Sequence, residues 1–188
     1  MYNWYDEYKA KKLEVTESFK SVGIILPIAD NAPVNAVAST LTTELDGDNN
    51  DLVFTAKTKG ESGDNITITY VAPDDDKESE SVVVNGTDIV VTLRKATATL
   101  STATQVKTAI EANNDAKALV TVANADGNNG EGNVTAMAKT PLDNGANGTV
   151  APSAGIWCMD TSNIYITTAA NTVADANWKK IAFSDISG

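Results

Sequence analysis

The residues that could do chemistry are few in this chain, and their spacing argues against a catalytic centre. Histidine is absent, which removes imidazole general bases, His-dependent triads and His-zinc sites together. The single cysteine, Cys158, has no partner for an intrachain disulfide. It lies in the apolar run Gly155-Ile156-Trp157-Cys158-Met159, where a thiol is expected to be buried and inert. Carboxylates are plentiful, but Asp74, Asp126 and Asp160 fall in hydrophilic stretches and are expected to stay solvated, with ordinary pKa values. A hydrolase built on paired acids would need a concave site, and nothing in the spacing asks for one. No catalytic residue is assigned, and the chain is not expected to be an enzyme.

Oxygen-rich loops offer the remaining chemistry. Asp46-Gly47-Asp48-Asn49-Asn50-Asp51 and Asp126-Gly127-Asn128-Asn129-Gly130-Glu131 invite a calcium reading. Neither has the spaced ligands ending in a bidentate Glu that an EF-hand loop requires. Asx and Gly are also turn residues, so both stretches are read as turns, with no metal and no cofactor expected. Gly60-Glu61-Ser62-Gly63 is not followed by Gly-Lys-Ser/Thr and stands in an acidic setting, so it too is read as a turn. Asp74-Asp75-Asp76-Lys77-Glu78 is an exposed, charged connection.

Composition narrows the partners. With 14 basic and 25 acidic residues, the formal charge of -11 argues against nucleic acid, whose binding relies on basic contacts that release counterions. The start, Met1-Tyr2-Asn3-Trp4-Tyr5-Asp6-Glu7, lacks the basic and apolar blocks of a signal peptide. The apolar run Val22 to Ala29 is interrupted by Pro27 and is too short to span a bilayer. A soluble protein made in a cytoplasm is expected. Four Asn-X-Thr tripeptides, at Asn65, Asn85, Asn133 and Asn147, follow from the abundance of Asn and Thr.

The elements that would position a surface are clearer. Leu52 to Lys57 alternates apolar and polar residues, as does Ile66 to Tyr70, so each predicts a half-buried strand. Ser81-Val82-Val83-Val84 and Thr87 to Leu93 flank Asn85-Gly86, which predicts a hairpin closed by a type I′ turn. Thr102-Ala103-Thr104-Gln105 has the form of a capping box. The helix that follows would turn Ala103, Val106, Ala109 and Ile110 inward and stop at Asn113-Asn114. Ala118 to Val122 and Val134 to Ala138 then read as strands across the loop Asn124 to Asn133. The fold class expected is α+β: a small, mainly antiparallel sheet in the order β-β-β-β-α-β-β, one face covered by one helix.

This core occupies residues 46–141. Residues 1–45 form an extended arm and linker, 142–150 a second linker, and 151–188 a small β-module with strands paired about Asp160-Thr161-Ser162-Asn163. Three of the five tyrosines and one of the three tryptophans fall in the first eight residues. Tyr2, Trp4, Tyr5 and Tyr8, with the apolar Ile24, Ile25 and Leu26, are the candidate partner-binding residues, because such side chains are favoured at protein interfaces. The arm either grips a neighbour or folds back on its own domain.

Gly155-Ile156-Trp157, Asn163-Ile164-Tyr165-Ile166 and Asn177-Trp178-Lys179-Lys180-Ile181 together resemble the small terminal module of head fibre and capsid decoration proteins of tailed bacteriophages. Gly60-Glu61-Ser62-Gly63-Asp64-Asn65-Ile66-Thr67-Ile68 and Gln105-Val106-Lys107-Thr108-Ala109-Ile110 resemble a small domain that recurs in phage head and tail proteins. The resemblance implies a non-catalytic virion protein on the capsid exterior, assembled in the host cytoplasm. Its implied partner is the major capsid protein, and a homo-oligomer such as a trimer is expected. A second class is a carbohydrate-binding or host-attachment module in which Trp157, Tyr165 and Trp178 form a glycan platform or an oligomer contact; the competing reading makes them core aromatics. A tail structural component is the third.

Overall fold

The computed structural model describes residues 33–72, 77–96, 99–150, 157–160, 162–167, 169–182 and 184. The chain divides into two units, one of residues 36–147 with 173–175, the other built, among the described residues, from 33–35 and from residues after 147 other than 173–175.

The larger unit is mixed α+β. Its strands are β1 (Thr40–Thr42), β2 (Leu52–Ala56), β3 (Thr67–Val71), β4 (Ser81–Asn85), β5 (Asp88–Thr92), β6 (Lys95–Ala96), β7 (Thr99–Leu100), β8 (Val120–Asn124) and β9 (Met137–Pro141); α1 (Ala103–Ala112) and α2 (Asn114–Leu119) stand before β8. Instead of one sheet, the strands form two, ordered β1-β2-β8 and β4-β5-β3-β9, with β6 and β7 a separate short pair. Alternation dictates which side chains face inward but not which strand is the neighbour. A 3-10 turn at Glu61–Asn65 separates β2 from β3, which pair in different sheets. β3 and β5 run parallel because the β4–β5 hairpin puts β4 at the edge and β5 against β3; the other pairs are antiparallel.

Period-2 burial builds the core. Leu52, Phe54 and Ala56 of β2, Ile68 and Tyr70 of β3, Ile89 and Val91 of β5, and Val120 and Val122 of β8 all point inward. α1 supplies Ala103, Val106 and Ile110, a narrow stripe spaced as one helix face. Ala109, expected on that stripe, is only half-buried. The capping box forms as read: the Gln105 N–H reaches the Thr102 Oγ1 at 3.4 Å and the Thr102 N–H donates to Gln105 Oε1 at 2.9 Å.

Three local readings need correction. Asn113 stops α1 but also caps α2, so Ala118 and Leu119 are helical and β8 begins at Val120. The strand expected at Val134 to Ala138 lies later, at Met137–Pro141; Val134 is buried in a connection, its N–H donating to the Ser101 carbonyl at 2.8 Å. The hairpin turn is Gly86-Thr87, with Asn85 paired to Asp88. Gly86 has φ of 62° while Thr87 is not left-handed, so glycine takes the first central position, as in a type II′ turn.

The unit is wider at both ends than 46–141. β1 pairs with β2, and the segment after β9 returns beside it: Val37 bridges Ala146, Thr40 bridges Asp143, and Leu142 is 1% exposed. Small polar composition suggested a linker here, whereas the backbone groups are used in pairing.

In the second unit, β10 (Trp157–Met159), β11 (Asn163–Ile166) and β12 (Lys179–Ala182) make an antiparallel meander. Residues before the core join this unit. The Thr149 N–H donates to the Val34 carbonyl at 2.9 Å, and Asn35 Oδ1 accepts from the Trp178 N–H at 2.6 Å.

Candidate functional site

The arm residues Tyr2, Trp4, Tyr5, Tyr8, Ile24, Ile25 and Leu26 lie outside the described residues, as does Asp74. Of the loop acids, Asp126 is exposed. Asp160, between β10 and β11, departs from expectation. Its Oδ1 accepts the Ser162 and Asn163 N–H groups, each at 2.7 Å, and its Oδ2 accepts the Tyr165 hydroxyl at 2.8 Å. The Ser162 N–H first, then the Tyr165 hydroxyl, hold the carboxyl down to about 2. Hydrogen bonds to the charged form favour it. The shift runs opposite to that of a carboxyl group kept protonated to act as a general acid near neutrality, and the bonds show that Asp160 fastens the hairpin.

Tyr165 and Trp178 do not present open faces for a platform. Tyr165 is 6% and Trp178 7% exposed; the Trp178 Nε1–H donates to the Thr149 carbonyl at 2.8 Å. Glycan stacking needs open ring faces, and buried Tyr and Trp with their polar atoms engaged are core residues. Trp157 and Cys158 stand in β10, in register with Ile166 and Tyr165; their side chains lie outside the description.

The two Asx-rich loops, read separately in the sequence, meet in the fold. Asn49 Oδ1 accepts the Asn129 N–H at 3.1 Å, Asn128 Oδ1 accepts the Asp51 N–H at 3.1 Å, and Asn50 Nδ2 donates to the Asp46 and Asn133 carbonyls at 2.8 and 3.1 Å. A side chain on Gly132 would collide with the Asp48 carbonyl, so glycine is required where the loops touch. Asp51 spends Oδ1 on the Leu45 N–H at 2.7 Å. The side chains replace backbone ladders as the fastening between loops. Among the described residues no three acidic or cysteine side chains converge.

Sequence reasoning also missed Arg94, the only arginine in the chain. Its Nη2 donates to Gln105 Oε1 at 2.8 Å and to the Leu100 carbonyl at 3.0 Å, and its backbone N–H to Ser101 Oγ at 2.7 Å. Ser101 in turn donates to Glu80 Oε1 at 2.8 Å. A guanidinium serves two acceptors in fixed directions, as lysine does not. One signal was available: a lone Arg among lysines, eleven residues before the capping-box glutamine.

A depression of about 120 Å³ is lined by Lys57, Ile110, Glu111, Lys117, Val120, Thr121 and Val122, below the few hundred Å³ of a small-molecule site. The two sheets of the larger unit also offer flat surface. Thr40, Thr42, Thr121 and Ala123 are exposed on the outer face of the β1-β2-β8 sheet. The outer face of the other sheet carries Val71 and Val83, 40% and 56% exposed, and one ion pair, Lys139 Nζ to Asp88 Oδ1 at 2.7 Å. Among the described residues no helix is long and apolar enough to cross a membrane. No protein-family model, curated protein or solved structure matches the chain.

Proposed function

We propose that the chain is a non-catalytic structural component of a tailed-phage virion, carried on the capsid exterior by contact with the major capsid protein, and that it works by presenting surface. One relation supports this reading most. The two ends of the stretch 36–147 are paired, Val37 with Ala146 and Thr40 with Asp143, so the core of that unit closes on itself and its sheets keep outward faces that can meet another protein. The Thr-lined outer face of the β1-β2-β8 sheet and the exposed Val71 and Val83 of the other sheet, in a chain of net charge -11, suit contact with another protein. The aromatic composition of the first eight residues suits attachment.

The test is co-sedimentation with purified capsids of the source phage. The full chain pellets with capsids, and deletion of residues 1–20 abolishes pelleting while thermal unfolding of the remainder is unchanged. Undiminished pelleting by the deletion variant removes the arm from the account; failure of the full chain to pellet removes the capsid reading itself.

A further inference from the structure

Four Asn-Gly dipeptides occur: Asn85-Gly86, Asn129-Gly130, Asn144-Gly145 and Asn147-Gly148. Such pairs share a chemical liability, because a glycine peptide nitrogen, unshielded by a side chain, reaches the side-chain carbonyl carbon of the preceding asparagine. The fold treats the four differently. Asn129 Oδ1 accepts the Glu131 N–H at 2.9 Å, and Gly130 is buried. The Gly145 N–H, the would-be nucleophile, is held by Asp64 Oδ1 at 2.9 Å. Asn147 Oδ1 accepts the Glu61 N–H at 3.1 Å, and Gly148 is buried.

Asn85-Gly86 lacks every one of these restraints. Both residues are exposed, nothing stands within 4 Å of the position a Gly86 side chain would take, and Gly86 lies in the turn beyond the last rung of the β4–β5 ladder. We propose that Asn85 is the chain's site of spontaneous deamidation and isomerisation. The Gly86 nitrogen attacks Asn85 Cγ, the side-chain nitrogen leaves as ammonia, and a five-membered succinimide results. Water, the sole co-reactant, opens that ring at either carbonyl, leaving aspartate or isoaspartate. The new carboxylate stands directly across from Asp88, and like charges opposed on paired strands are destabilising. Isoaspartate also lengthens the backbone at a two-residue turn. β4 is an edge strand, so the hairpin that borders the sheet loosens with age.

Peptide mapping tests this on the full chain. The native protein is incubated at mildly alkaline pH in heavy-oxygen water, then cleaved with trypsin. The peptide from Glu78 to Arg94 carries Asn85 as its only asparagine, so conversion there is assigned without ambiguity. Heavy oxygen is expected to accumulate in that peptide several-fold faster than in those carrying Asn129, Asn144 and Asn147, and the difference is expected to vanish when the chain is unfolded in guanidinium. Equal or faster conversion at any of the other three in the native protein overturns the assignment. So does an unchanged Asn85 over a period in which the unfolded chain converts.

Discussion

The Asn113 side chain joins a helix to a sheet edge: its Nδ2 donates to the Val82 carbonyl of β4 at 3.0 Å, while its Oδ1 accepts the N–H groups of Asp115 and Ala116 at 3.1 and 2.9 Å. One residue therefore starts α2 and covers part of an edge strand, the kind of strand that otherwise offers a template for association.

Replacing Asn113 by Ala removes a helix cap, which costs about 1 kcal/mol, and a side-chain bond to the strand, which contributes about 1 kcal/mol more. Asn113→Asp keeps the acceptor and loses the donor, so its midpoint in urea is expected between wild type and Asn113→Ala. A midpoint for Asn113→Asp equal to that of wild type would show that the bond to Val82 contributes nothing.

Arg94→Ala is expected to destabilise the larger unit by about 2 kcal/mol, the scale of losing hydrogen bonds from a charged group, since it removes the guanidinium whose Nε stands 3.9 Å from Glu80 Oε1 and leaves Gln105 Oε1 without its second donor. Arg94→Lys should restore little of this, because an ammonium cannot span Gln105 and the Leu100 carbonyl in the same geometry. Urea unfolding of both variants provides the comparison.

Tyr70 is 2% exposed and its hydroxyl has no partner among the described residues. Burial pushes the phenol well above its ordinary value, with the Asp51 charge adding to the shift. Tyr70→Phe removes a desolvated donor worth about 1 kcal/mol or more, so the variant should be as stable as wild type or more so. The sign on pH follows from a folded-state pKa above the unfolded one. Below about pH 10 the phenol is neutral in both states and stability does not depend on its titration; as pH rises beyond that, only unfolded tyrosine ionises and stability is lost. Thermal scans at increasing alkalinity should show a shallower decline for Tyr70→Phe than for wild type.

Asp160 has the opposite sign. Its folded-state carboxyl lies at about 2, below the unfolded value of about 4, so its contribution is present above pH 4 and disappears as pH falls through 2. Acid titration followed by tryptophan fluorescence, in a variant with Trp4 and Trp157 replaced by Phe so that Trp178 alone reports, should show the second unit losing its structure over that window. In Asp160→Asn the neutral-pH signal should be less stable to heat, and the acid-dependent change smaller.

Much of this fold could be read from the residues. β2, the two strands of the hairpin and the Thr102–Gln105 box are fixed by neighbours in sequence, through alternation and capping, and they appear where expected, although the hairpin turn falls one residue later than Asn85-Gly86 suggests. What escaped depends on partners distant in sequence. Nothing local says that Thr40 pairs with Thr55, that Asn49 meets Asn129, or that Asn113 can serve as stop and start at once. Burial of Tyr165 and Trp178 agrees with the core reading that their apolar neighbours suggest. The candidate attachment residues, from Tyr2 to Leu26, were singled out by composition alone.

Locating the chain in a map of the intact particle tests the central proposal most directly. Copies on the outer capsid surface, each in contact with the major capsid protein, are the result the account predicts. Copies confined to the tail or the capsid interior, or particles that lack the chain altogether, would contradict it.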